Sequence, residues 1–150
     1  MPDETPTTSV PSWDDYFLGI ATAVAARAKC TRRRVGAVLT IDHRIIATGY
    51  NGAAPGEPDC LEGACPRGRL GYDAVPGLGD YDRPGTEGFC IAIHAEVNAL
   101  LFATRDTKGA TAYITDPPCP GCRKALAAAG IVRAVWPGGS HDRRGLTNWG

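Results

Sequence analysis

The sequence predicts an α/β sandwich built on a central mixed β-sheet, and three observations carry that prediction. Two β-rich runs, residues 35–41 and 44–49, meet at Asp42 and His43 and read as a hairpin, which supplies antiparallel neighbours. The last third of the chain alternates helix 94–105, strand 111–115, helix 120–129 and strand 132–136. Strand, helix, strand in that order implies a parallel pair with a right-handed crossover. Finally, Trp13, Phe17, Ile20, Val24 and Ala28 recur at intervals of three or four, so residues 13–29 form a one-faced helix that needs a sheet to pack on.

Each element has a local justification. Ser12 followed three residues later by Asp15 resembles a capping box, and Asp14 and Asp15 suit the positive end of a helix dipole. Pro120 belongs at the first helical position, while Gly109 and Gly130 fall where helices end. Between residues 52 and 88 glycine and proline are dense and no periodicity survives, which predicts a long irregular insertion. At 150 residues and 43% hydrophobic content the chain supports one core, not two. We therefore expect one domain over residues 12–137, a disordered leader at 1–11 and a C-terminal tail at 138–150.

Charge and targeting signals narrow the partners. Sixteen basic and sixteen acidic side chains cancel, which removes the global field that draws a protein to nucleic acid or an anionic membrane. The leader carries no signal-peptide pattern and no window approaches a membrane span, so the expected location is cytoplasmic. In a reducing compartment six cysteines read as metal ligands or buried thiols rather than disulfides.

The chemistry concentrates in two short stretches. In "PPCPGC" (117–122), Cys119 and Cys122 sit three apart across the first turn of a helix, where amide donors and the dipole favour thiolates. His94 opens another helix, in "IHAEVNALLFATR", and the two helix starts can meet at one sheet edge. One His and two Cys make three protein ligands, so a tetrahedral zinc would keep a fourth position for water, the pattern of a catalytic site. Glu96 lies close enough to shuttle protons without being a ligand. A redox pair or two buried thiols, and a surface carboxylate at a helix start, are the plainer alternatives.

The combination of His-Ala-Glu with Pro-Cys-x-x-Cys matches the zinc-dependent nucleobase deaminase signature. The chain resembles the cytidine deaminase superfamily, and within it the deoxycytidylate branch. The likeness runs through "CTRRRVGAVL" (30–39), "GYNGAAPG" (49–56), "IHAEVNALLFATR" (93–105) and "ITDPPCPGC" (114–122), and spans about residues 12–136. The resemblance implies a three-layer α/β/α sandwich and hydrolytic deamination of a cytosine nucleotide, dCMP to dUMP plus ammonia. It implies a catalytic zinc on His94, Cys119 and Cys122, with Glu96 as proton shuttle. Asn51 would hydrogen-bond sugar or base, with Gly52 and Ala95 beside the substrate, although Asn-Gly is equally a plain turn dipeptide. It further implies a homo-oligomer, often a hexamer, and a deoxynucleoside triphosphate effector.

Cys30, Cys60, Cys65 and Cys90 flank or sit within the irregular insertion. A second, structural zinc would pin a segment that has no core, and resembling deaminases often carry one there. Reduced thiols, or three ligands and a bystander, are the alternatives. Arg105 lies nine residues after Glu96, half a revolution round a helix, so an interface or effector role is expected for Phe102 and Arg105. Arg32, Arg33 and Arg34 form either a phosphate-attracting run or a solvated cluster.

The chain departs from the deoxycytidylate pattern at its end. The family's acidic, tyrosine-containing continuation is replaced by "PGGSHDRRGLTNWG". Arg143 and Arg144 could supply phosphate contacts, or Trp149 cover a base, with a terminus lacking order as the default. Another nucleoside or nucleobase (cytidine, guanine, a modified cytosine) is therefore the alternative substrate. A tRNA-editing role fits a neutral chain poorly.

Overall fold

Asp42 and His43 both adopt left-handed backbone angles, φ 51° and 58°, which match the twist of a tight β-hairpin. The turn folds β1 (Gly36–Ile41) onto β2 (Arg44–Tyr50) in antiparallel register, Ile41 opposite Arg44 and Gly36 opposite Tyr50. The computed structural model describes residues 9–71, 74 and 80–148. The expected leader therefore lies outside the described residues up to residue 8.

Five strands form one sheet in the order β2-β1-β3-β4-β5, with β3 (Thr111–Ile114), β4 (Arg133–Trp136) and β5 (Gly139–Asp142). β1 and β3 run antiparallel and β3 and β4 parallel, so the sheet is mixed as the element order predicts. Helix α1 (Trp13–Ala25) covers one face, where Phe17 and Ala21 pack with Val38, Tyr113 and Val135. Helices α2 (Ala95–Leu101), α3 (Pro120–Ala128) and α4 (Arg143–Thr147) cover the other. There Ala95, Ala99, Leu126 and Leu146 meet Leu39, Ala112, Ile114 and Ala134. Alternate residues of each strand serve opposite faces, as the two-residue strand repeat requires. The result is the three-layer sandwich.

Two glycines bring the helices down onto the sheet. A Cβ at Gly36 would lie 2.0 Å from the Ala21 carbonyl oxygen, and one at Gly49 would lie 2.3 Å from the Ala95 carbonyl oxygen and 2.5 Å from the Ala99 nitrogen. The Gly36 contact explains why the buried line of α1 is Phe17, Ala21 and Ala25 rather than the larger-residue stripe, which leaves Trp13 about half exposed. Gly49→Ala must push α2 off β2, so we expect a stability loss of about 1–3 kcal/mol or more. Denaturant midpoints check this, and unchanged stability would contradict the close approach. Asn98 ties the same helix to β2 by donating to the Tyr50 carbonyl at 2.8 Å.

Several expected boundaries move. α1 stops at Ala25, not residue 29, because Arg27 and Ala28 donate back three residues to Val24 and Ala25 and Lys29 turns to the Asn51 carbonyl. α2 ends at Leu101 rather than 105. The Thr104 hydroxyl and amide both donate to the Ile46 carbonyl, which draws the chain away from the helix axis. The helical argument that placed Arg105 opposite Glu96 therefore fails, and Arg105 occupies an exposed bend.

The segment expected as a tail instead completes the fold. β5 pairs with β4, and Leu146 of α4 is fully buried. Arg123 donates to the carbonyls of Gly145 and Asn148, both at 2.6 Å, and Arg143 donates to those of Ala127 and Ile131. Arg143 thus holds α3 and the turn after it, and Trp149 lies outside the described residues. On the α1 face of the sheet, Arg133 binds both carboxylate oxygens of Asp14, at 2.8 and 2.6 Å, and holds that carboxyl below its ordinary pKa. This pair fastens the start of α1 to β4.

Candidate active site

Two helix starts meet at the sheet edge. His94 is the N-terminal cap residue of α2, Cys119 that of α3, and Pro120 follows at the first helical position. The Cys119 sulfur accepts the Cys122 amide at 3.4 Å, so the first turn of α3 places both thiols on one side. The antiparallel bridge between Gly52 and Ile93 fixes the residue before His94. His94 Nδ1 lies 3.1 Å from Cys122 Sγ and 3.5 Å from Cys119 Sγ.

These three donor atoms lie within 4.8 Å of one another, and among the described residues no other set of three or more His, Cys, Asp or Glu ligand atoms does so. Ideal tetrahedral zinc would hold its nitrogen and sulfur ligands about 3.5 Å apart, close to the observed spacing. The electrostatics point the same way. Burial first, then the neighbouring Glu96 and Cys119, push the Cys122 thiol well above its ordinary pKa. Two thiols and a carboxylate crowd one site, a donor set on which a divalent metal would displace the thiol protons and balance the charge. The donor set fits zinc.

Glu96 is only 4% exposed and lies near enough to Cys122 to help raise that thiol's pKa. It faces a cavity of about 270 Å³ whose wall includes His94, Cys119, Ala95 and Asn51. Asn51 is buried, but its amide already works for the backbone. Its Oδ1 accepts the Val35 N–H and its Nδ2 donates to the Arg33 carbonyl, each at 2.8 Å. One further donor and one lone pair remain on that amide for a ligand. Gly52 does not line this cavity. It acts through the backbone bridge to Ile93.

All four remaining cysteines line the same cavity. Three of the sulfurs accept a backbone N–H: Cys30 from Arg32, Cys60 from Thr31 and Cys65 from Gly68. Burial works to raise the Cys65 pKa, but amide donors from Ile91 and Gly68 and the adjacent thiols outweigh it, and the thiol falls below its ordinary value. Cys90, where burial dominates, is raised. Unlike the His94 set, these sulfurs do not converge to within 4.8 Å as a group.

Sequence reasoning missed two members of this wall, Tyr81 and Asp116, and left Arg32 and Arg33 between two readings. Tyr81, from the insertion, reaches His94 Nε2 with its hydroxyl at 2.7 Å, and burial raises its pKa so that it stays a neutral phenol. Arg33 pairs with Asp116 at 3.0 Å, just before the cysteine turn. Arg32 is no solvated cluster member, since it donates to the carbonyls of Arg67 and Leu70 and anchors the insertion. Phe102 and Arg105 lie outside the cavity. Phe102 borders a separate cleft with Lys29 and Asn98.

Comparison with known proteins agrees with this geometry. Residues 11–137 match the model of the cytidine and deoxycytidylate deaminase zinc-binding region. The chain is 52% identical over 130 residues to the deoxycytidylate deaminase of Mycobacterium phage D29, covering 86% of this chain and 97% of that one. It is 41% identical to the deoxycytidylate deaminase of Saccharomyces cerevisiae, across 84% of this chain and 38% of the yeast protein. The dCMP deaminase of cyanophage S-TIM5, solved with dCMP and dUMP, superimposes with a TM-score of 0.59 at 25% identity, over 82% of this chain and 79% of that one. A sandwich that brings His94, Cys119 and Cys122 together around a buried glutamate, in a sequence this similar, makes the chain a member of the zinc-dependent cytidine and deoxycytidylate deaminase family.

Proposed function

We propose that this chain deaminates dCMP to dUMP, adding water at C4 and releasing ammonia. The observation that carries the reading is the buried Glu96 carboxylate beside the converged His94, Cys119 and Cys122 donors, in a chain 52% identical to a deoxycytidylate deaminase along nearly its whole length. Zinc held by those three residues supplies Lewis-acid activation of water. Glu96 would take one proton from that water and pass it to N3, then carry the proton of the C4 hydroxyl to the departing amine, which leaves as ammonia as the C4 carbonyl forms. Low solvent access around Glu96 keeps these transfers internal. Ala95 and Asn51 form the wall against which the base is oriented, and Arg33 at the rim offers a cation to the 5′-phosphate.

Cys30, Cys60, Cys65 and Cys90 hold a second, structural zinc in this reading. Its support is the backbone amide donor on Cys30, Cys60 and Cys65 and the cavity that all four sulfurs share, in an insertion without a core. Metal counting then gives about two zinc ions per chain. The exposed Leu101 and Phe102, together with Arg105, form the contact surface of a homo-oligomer and its nucleotide effector response. Six free thiols suit a reducing, cytoplasmic setting.

Ammonia release from dCMP, dCTP, deoxycytidine, CMP, cytosine, guanine and tRNA under one condition tests the substrate. The expected result is turnover of dCMP, with deoxycytidine far poorer. Turnover of deoxycytidine or guanine with dCMP inert would move the assignment to an unphosphorylated substrate and leave the zinc chemistry standing. Salt-sensitive tRNA deamination would move it to nucleic acid.

A further inference from the structure

We propose that Tyr81 is a positioning residue for the zinc ligand His94, through a hydrogen-bonded link from the cysteine-rich insertion to the metal site. The inference rests on the reading of His94 as a zinc ligand. His94 turns Nδ1 toward the two cysteine sulfurs and Nε2 toward Tyr81, so its two ring nitrogens have separate partners. With Nδ1 given to a metal, the neutral ring carries its proton on Nε2 and donates to the Tyr81 oxygen at 2.7 Å. Nδ1 on the metal therefore fixes the ring tautomer, and the Tyr81 oxygen is the acceptor that the remaining N–H meets.

Tyr81 is itself held on several sides. Its carbonyl accepts the Cys90 N–H at 3.0 Å, and the Arg67 guanidinium lies 5.4 Å over its ring. Arg67 in turn donates to the Gly88 carbonyl at 3.0 Å, within the same insertion. The two rings of Tyr81 and His94 meet edge to face with centroids 5.6 Å apart. A ligating histidine whose second nitrogen is fixed in this way holds its ring orientation, and loss of such a partner typically costs about 10- to 100-fold in metal affinity or activity. The irregular insertion therefore does more than cover the site. It sets the tautomer and tilt of one metal ligand.

The test uses the zinc-loaded protein and Tyr81→Phe, which keeps the ring and removes the hydroxyl. We expect zinc loss to excess chelator to accelerate about 10- to 100-fold, with a comparable fall in kcat and KM held within about twofold. The cobalt-substituted protein should show a shifted ligand-field spectrum in the variant. Ring-15N-labelled histidine gives a readout independent of any variant's folding, because the chain has three histidines. In the wild type, His94 Nε2–H should be visible, downfield and slow to exchange. No such proton in the wild type, or Tyr81→Phe with unchanged zinc release and spectrum, overturns the inference alone. A change in KM only would make Tyr81 a substrate contact and likewise overturn it. If His94→Ala keeps its full zinc content, the metal reading itself fails and this inference falls with it.

Discussion

Glu96→Gln is expected to keep its zinc and lower kcat by about a hundred- to ten-thousandfold, the usual worth of a positioned proton shuttle. The amide fills the same buried space beside Cys122 and preserves hydrogen-bonding capacity, so the fold and the metal set are spared. What it cannot do is accept and return a proton. Metal content measured alongside steady-state kinetics separates the two effects. A variant that retains zinc and more than about a tenth of wild-type kcat would remove Glu96 from the chemistry.

Cys122→Ala should lose both the metal and the activity. It deletes a buried ligand at the centre of the converged set, and the remaining His94 and Cys119 cannot hold a tetrahedral ion firmly. Because metal binding is coupled to folding, the zinc-loaded wild type should melt above the apo-protein, and Cys122→Ala should gain no such increment on adding zinc. The pH dependence has a definite sign. Burial and the nearby acidic groups raise the Cys122 thiol above its ordinary pKa, so without metal it is protonated at neutral pH and zinc must displace that proton. Zinc affinity therefore rises with pH, by at least about tenfold per unit, across the range below that raised pKa. Competition titrations at several pH values read this directly. A pH-independent affinity would mean that Cys122 is not a ligand.

Spacing and local turn chemistry made much of the molecule readable before any coordinates. Asp42 and His43 marked the hairpin, Gly130 takes its left-handed angle (φ 82°) just past the end of α3, and Pro120 opens that helix, whereas Gly109, left-handed at φ 84°, serves the turn before β3 because α2 already ends at Leu101. The metal set was readable for the same reason. His94 with Glu96, and Cys119 with Cys122, are each separated by a turn of helix or less, so the residue pattern carries the geometry.

The misreadings share one physical cause: they depend on partners distant in sequence. β5, "GSHD", has no apolar alternation or β-branched residue. It is a strand because β4 offers an open edge and the guanidinium groups of Arg123 and Arg143 fasten α4 directly after it. Leu101 ends α2 because Thr104 finds the Ile46 carbonyl across the fold. Asn51 looked like a substrate ligand, yet its amide first ties residues 33 and 35, sixteen or more positions away.

The amino-acid order thus dictated the element types from α1 to β4, the hairpin turn, the converging His94, Cys119 and Cys122 set and the family. Periodicity, capping and short-range spacing are local properties of a chain. Only the tertiary structure decided which buried line α1 presents, how closely Gly49 lets α2 approach the sheet, and that a tyrosine from an aperiodic insertion meets the far nitrogen of His94. Those outcomes come from packing and hydrogen bonding between segments whose proximity no local pattern encodes.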